Sequence, residues 1–225
     1  MPNALIVWGG WDGHEPQPCA QRFAAILDRL GFQVRVEDDL ACFTDADVLQ
    51  AQDLIIPLWT MGEISKEQSQ GLCQAVRGGV GLGGWHGGMC DAFRKDVNYQ
   101  FMTGGQWVQH PGGVMDYRVQ ICDHLHPISQ GIADFAIHSE QYYMHCDPGN
   151  HVLATTTFAG DQEGMDWIRG TCMPVSWIRP YGAGRVFYAS IGHVNADFEV
   201  PQARQLVTRG LLWAAGQEQL ISQVE

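Results

Sequence analysis

Through its first half the chain alternates short apolar runs ending at glycine or loop residues with stretches of helical spacing, and few architectures accept that pattern. Ala4-Leu5-Ile6-Val7-Trp8 runs into Gly9-Gly10 as a buried parallel strand does. Phe23, Ile26, Leu27 and Leu30 then recur at i, i+3, i+4, i+7, and Gly31 ends that helix. Phe32 to Val36 and Leu54 to Trp59 read as the second and third strands. Ser65, with Gln68 three residues on, caps a helix to about Arg77, and the glycine-rich Gly79 to Trp85 is a fourth strand. Such βαβ alternation predicts an α/β fold with a mostly parallel sheet covered by helices on both faces.

The rest is less regular. Val114 to Ile121 and Val152 to Phe158 read as strands. Tyr99 to Asp147 otherwise reads as irregular, rich in histidine and turn signals. Pro174 to Arg179 and Arg185 to Ile191 form a strand pair around Tyr181-Gly182-Ala183-Gly184, and a last helix spans about Gln202 to Ala215. No repeat or linker interrupts residues 1–225, so one domain is expected.

Composition removes several function classes. Hydrophobic residues are 45% and charged residues 17%, which excludes disorder. Thirteen basic against twenty-five acidic side chains, a net charge of -12, leave no broad phosphate-binding face, so nucleic acid is not an expected partner. No apolar run approaches the roughly 20 residues of a membrane helix. The opening Met1-Pro2-Asn3 lacks a basic leader region, and the seven cysteines are scattered without a C-x-x-C. These features predict a cytoplasmic location and no disulfide framework.

In parallel α/β sheets ligands sit beyond the carboxyl ends of the strands. That rule singles out His14, after the first strand and Gly13; His86, after the fourth strand in Gly84-Trp85-His86-Gly87-Gly88; and His193, after Ala189-Ser190-Ile191-Gly192. His110 sits in a glycine-flanked turn. Imidazole suits acid/base work or metal ligation near neutral pH, so His86 and His193 are candidate catalytic groups or, with His14, ligands of a Zn²⁺. His124, His126 and His151 are expected outside the site. Glu140, beside Tyr142, is either a proton-transfer group or a strand-end carboxylate with a backbone partner. Trp8, Trp11, Trp59, Trp85 and Trp107 fall at or near strand ends, where an indole could stack on a sugar ring; a purely core role is the alternative. Trp11, Trp59, Trp85, Trp107, His14, His110 and Tyr142 are therefore the expected substrate-binding residues. No phosphate-loop motif occurs, which favours a neutral polar ligand over a nucleotide. Gly84-Trp85-His86-Gly87-Gly88 fits the frame of a nucleophile elbow, with His86 in the nucleophile slot; Cys90 falls four residues later, in the helix that follows.

At these residues the chain resembles the ThuA-like (trehalose utilization protein) family, a branch of the class I glutamine amidotransferase-like fold. The resemblance rests on Gly83-Gly84-Trp85-His86; Gly104-Gly105-Gln106-Trp107-Val108-Gln109-His110-Pro111; Asp123-His124-Leu125-His126-Pro127 with Gly131; Pro174 to Trp177; Tyr181 to Tyr188; Gly192-His193; and Leu212 to Gly216. It implies a flavodoxin-like αβα sandwich and a carbohydrate-metabolism role, on a sugar or 3-keto-glycoside, by isomerisation or glycosidic-bond cleavage. Two departures stand out. The family's Asp-Glu-x-Tyr appears as Ser139-Glu140-Gln141-Tyr142, and the amidotransferase His-x-Glu is absent at His193-Val194-Asn195. With no elbow cysteine, glutamine hydrolysis is not expected. The rival expectation is a non-catalytic sugar-binding protein that keeps the pocket. A small-molecule carbohydrate is the expected partner, and the sequence is compatible with a homo-oligomer.

Overall fold

A computed structural model describes residues 1–224. The order of elements follows the sequence pattern closely at the start. β1 (Asn3–Gly10), α1 (Pro16–Arg29), β2 (Gln33–Glu37), the one-turn α2 (Ala46–Gln50), β3 (Leu54–Thr60), α3 (Lys66–Gly78) and β4 (Gly81–Trp85) come first. The capping box at α3 forms as expected, Ser65 Oγ accepting from the Gln68 N–H while the Gln68 side chain accepts from the Ser65 N–H. Two short helices follow, α4 (His86–Cys90) and α5 (Val97–Thr103).

The middle segment is more ordered than its sequence suggests. It contains β5 (Gly105–Gln109), β6 (Val114–Ile121), β7 (Phe135–Glu140) and β8 (Tyr143–Cys146), with β5 and β8 paired antiparallel as a small separate sheet. β9 (His151–Thr157), β10 (Cys172–Tyr181), β11 (Gly184–Ala189) and α6 (Pro201–Ala214) complete the chain. Among these, β5, β7 and β8 lack the long apolar runs that reveal a strand, because their stability comes from partners distant in sequence.

The main sheet has nine strands in the order β2-β1-β3-β4-β11-β10-β9-β6-β7. Its first five strands are parallel to one another. From β10 onward every pairing is antiparallel. The sheet is therefore mixed: the βαβ alternation describes its parallel half, and the hairpin read around Tyr181 to Gly184 opens its antiparallel half.

Apolar side chains divide on the two faces. One cluster gathers Ile6, Phe23, Leu27, Phe187, Leu206 and Leu211 under α1 and α6; the other gathers Leu5, Leu72, Val76, Tyr99, Trp177 and Tyr188 under α3 and α5. Glycine makes the first of these contacts possible. A Cβ on Gly83 would meet Leu211 at 2.6 Å, and one on Gly210 would meet the Phe187 ring at 2.2 Å. So α6 lies on β4 and β11 at a distance no side chain would permit. No described helix is long and apolar enough to cross a membrane.

Candidate functional site

The carboxyl ends of β1, β3, β4 and β11 lie side by side, and each delivers a polar group. After β1 the backbone turns at Gly10 (φ +77) into a single helical turn, Asp12–His14, whose last residue buries its imidazole. Thr60 ends β3 and shares a 2.8 Å hydrogen bond with His14 Nδ1. His86 follows β4 directly with φ +48, a left-handed conformation rare for a side chain with a Cβ. The elbow frame legible in the sequence is thus a sharp strand-to-helix turn carrying a histidine. His86 Nδ1 lies 2.8 Å from the Ser190 carbonyl, just past β11. His193 follows three residues later, after Gly192 at φ +100.

Glu140 arrives from elsewhere. It ends β7, the far edge of the sheet, yet its carboxylate sits among the three imidazoles. The antiparallel half must curl over the parallel half to bring it there; the bulges between β9 and β10 and the short β6–β9 pairing are where the ladder is interrupted. Asp197 fastens the junction. Its Oδ2 accepts from Ser139 Oγ at 2.6 Å and from the His193 N–H at 2.9 Å, so the end of β7 and the His193 loop are held by one carboxylate. Serine at 139 can donate to Asp197; an aspartate there would set a second carboxylate against it.

Three ring nitrogens converge on a single atom. Glu140 Oε2 is 3.1 Å from His86 Nε2, 3.4 Å from His193 Nδ1 and 3.7 Å from His14 Nε2. The other oxygen, Oε1, is 3.8 Å from His110 Nε2. His86 is 1% exposed and stacks on Tyr142, ring centroids 3.9 Å apart. His110, 35% exposed, opens the cluster to solvent. Among the described residues, His193 Nδ1 and His110 Nδ1 are buried without a hydrogen-bond partner.

The electrostatics follow from burial and this convergence. Burial pushes the His86 imidazolium down to about 3, against the pull of Glu140. Burial works to raise the Glu140 carboxyl, but the converging rings of His14, His193 and His86 override it and hold the group well below the usual carboxylate range. At His193 burial is likewise outweighed, by Glu140 first and then Asp197 and Glu15, so its imidazole is raised.

The aromatic residues separate into two groups. Trp11, 47% exposed, sets its ring edge-on to His14 at 4.8 Å. Trp107 lies 5.6 Å from the His110 ring and 6.1 Å from Tyr142, with the Arg94 guanidinium over its face. Trp59 packs across Gly9 and Gly62 beside the site. Trp85, expected to bind substrate, is instead 2% exposed and packs between Phe23 and Phe198 in the core, reaching only the small enclosed space beside His14 and His86. His124, His126 and His151 lie outside the cluster; His151 pairs with Asp123 and stacks loosely on His126. Cys90 is buried on α4, and burial raises its thiol well above the ordinary range. All seven cysteines are free.

Thr60, Ser139, Ser190 and Asp197 were not legible as site residues. Thr60 and Ser190 do end apolar runs, which was the one available signal; Ser139 and Asp197 had none beyond adjacency to Glu140 and His193. A groove of about 540 Å³ between α1 and α6, lined by Arg22, Arg29 and Arg204, lies apart from the histidines. The enclosed space beside His14 and His86 is about 10 Å³. The chemistry is therefore placed by the convergence of side chains, not by cavity size.

Over residues 3–214 the chain matches the sequence pattern of the ThuA family, described as trehalose utilisation. No curated protein matches it. In three dimensions it is similar to a ThuA-like protein from Bacteroides uniformis, with a TM-score of 0.76 at 18% identity, covering 95% of this chain and 91% of that one. A ThuA-like protein from Parabacteroides merdae gives 0.73 at 19% identity, covering 96% and 90%. A cytoplasmic protein from Salmonella typhimurium gives 0.62 at 12% identity, covering 99% of each chain. At these identities the likeness is one of fold.

Proposed function

The chain belongs to the ThuA, or trehalose utilisation, family and so to carbohydrate metabolism, and from that premise we propose that it is an enzyme acting on a sugar or 3-keto-glycoside at the His14–His86–Glu140–His193 cluster. The observation that carries the reading is the meeting of three imidazole nitrogens on Glu140 Oε2, from separate segments of the chain. A merely structural carboxylate needs one or two partners, not three rings from separate segments. The strand order β2-β1-β3-β4-β11 supports a flavodoxin-like frame, whose ligands bind at this edge.

A keto group on a sugar ring acidifies the adjacent C–H. One group of the cluster takes that proton while another gives a proton to the carbonyl oxygen, forming an enediol. Return of the proton on the other face isomerises the sugar. Alternatively, expulsion of the glycosidic oxygen, protonated as it leaves, cleaves the bond. Glu140, held ionised by its neighbours, suits the first role, and His193, whose imidazole is raised, suits the second. Trp11 and Trp107 flank the cluster as stacking faces for a ring, and His110 is the imidazole most open to an entering ligand.

The test is incubation with a panel of 3-keto-glycosides and their parent glycosides, followed by NMR. Solvent deuterium entering the C–H beside the keto group, or release of the aglycone, is the expected result. Binding without exchange or release would instead favour a non-catalytic sugar-binding protein.

A further inference from the structure

We propose that His14, His86, His193 and Glu140 form a mononuclear site for a divalent first-row transition metal, with Glu140 as the fourth ligand. This goes beyond the sugar reading and concerns the same residues, but it stands without any sugar.

The argument begins at His86. Its Nδ1 faces the Ser190 carbonyl at 2.8 Å, and a carbonyl oxygen can only accept, so Nδ1 carries the proton. In the neutral ring Nε2 then presents a lone pair. That lone pair points at Glu140 Oε2, 3.1 Å away, in a setting almost closed to water. Two lone pairs do not approach each other in a buried site unless something positive lies with them. His14 also has its Nδ1 engaged, by the Thr60 hydroxyl, and its Nε2 turned toward the same oxygen. His193 Nδ1 is buried, 3.4 Å from that oxygen, and makes no hydrogen bond. Three nitrogen donors and one carboxylate therefore surround a common point.

The distances to Glu140 Oε2 and the ring inclinations fit a shared ion. The four ligand atoms all lie within 4.8 Å of one another. Ligands bound at about 2.0–2.2 Å to one tetrahedral ion stand roughly 3.3–3.6 Å apart, and the nitrogen–oxygen separations here run from 3.1 to 3.7 Å. The three imidazoles are steeply inclined to one another, at 70°, 82° and 64°, as rings arranged around a centre are. Each of His14 and His86 has its remote nitrogen anchored by an oxygen, the outer partner that fixes ring orientation in metal sites. Imidazole and carboxylate together select zinc, cobalt, manganese, iron or nickel over calcium or magnesium.

The ion would give a sugar carbonyl or hydroxyl oxygen a Lewis-acid partner. With the ion bound, Glu140 and His193 are ligands, so the proton-transfer roles given to them above for the metal-free cluster pass to His110, whose Nε2 stands beside Glu140 Oε1 and whose ring is open to solvent.

The experiment is calorimetric titration of the chelator-treated protein with zinc chloride, repeated with cobalt chloride under visible spectroscopy. One equivalent bound, with the visible bands of four- or five-coordinate cobalt, is the expected result. Glu140→Gln and His193→Ala should each weaken binding by about 10- to 100-fold, whereas His138→Ala, at an exposed residue paired with Asp116, should bind as the wild type does. Thermal melts of the metal-free proteins check that each variant is folded. Should either variant unfold, His14→Gln takes its place. Absence of stoichiometric binding to the folded wild type, or equal binding by the folded variants, overturns the site and assigns the positive charge to a proton. Metal binding without any sugar turnover would leave this inference standing and remove the catalytic one; turnover with no metal bound would do the reverse.

Discussion

His86 Nε2 lies 3.1 Å from Glu140 Oε2 although 54 positions separate the two residues, and the opposite nitrogen of the same ring is committed to the Ser190 carbonyl. The imidazole is thereby fixed in rotation and in tautomer. What remains adjustable is the rest of the cluster, and it is held by close packing at glycine.

Gly87 is the most sensitive such point. A Cβ there would lie 2.5 Å from His14 Cε1, 2.7 Å from His14 Nδ1 and 3.0 Å from the Tyr142 hydroxyl. Gly87→Ala is expected to push His14 off Thr60 while leaving the sheet intact. Turnover of the responsive sugar should fall by about 100-fold, in line with an ångström-scale misplacement, with far-UV circular dichroism unchanged. Wild-type rates in a folded Gly87→Ala protein would remove His14 from the site.

Trp85 and Trp11 should behave oppositely. Truncating Trp85 empties the space between Phe23 and Phe198, so Trp85→Ala is expected to cost about 3–5 kcal/mol of stability. Trp11 is nearly half exposed at the site's rim, so Trp11→Ala should change stability by less than about 0.5 kcal/mol and raise KM for the sugar. Denaturant unfolding and steady-state kinetics on both variants separate the two roles.

Cys90 is expected to be chemically silent. Its thiol is fully buried and raised far above neutrality by that burial. Cys90→Ala should keep full activity at a stability cost of about 1 kcal/mol, and iodoacetamide should not inactivate the folded protein. Rapid inactivation that the substitution abolishes would restore a cysteine mechanism.

Away from the site, Asp123 should add a pH-dependent increment of stability. Its carboxylate accepts from the Leu125 and His126 N–H groups and pairs with His151 Nε2 at 2.7 Å, and the backbone bond from Leu125 first of all lowers its pKa below the ordinary value. A carboxyl lowered in the folded state binds fewer protons there than in the unfolded chain. Its contribution is therefore complete above the unfolded value of about 4 and fades as pH falls through the folded one. Asp123→Asn should unfold at lower denaturant than wild type near neutrality, and the gap should close toward pH 2. A gap that persists unchanged into acid would assign the effect to packing.

Much of this protein could be read before it was seen folded. The apolar run of β1, the i, i+3, i+4, i+7 spacing of α1 and the Ser65–Gln68 cap are local signals, and each forms where its residues place it. The glycine-flanked histidines after β1, β4 and β11 were legible for the same reason: a parallel strand's end is marked by where its apolar residues stop. Trp85 misled because its place near a strand end says nothing about what its ring packs against, and that ring lies between Phe23 and Phe198. Helices and strands of the middle segment were obscured because their partners lie far along the chain.

The amino-acid order alone thus determined the strands of the parallel half, where they end and which imidazoles stand at their ends, since all of that depends on neighbours a few positions apart. Only the tertiary structure decided that Glu140 joins them and that Asp197 locks it in place. Both depend on how an antiparallel half-sheet bends over a parallel one, a long-range packing outcome that no window of sequence records.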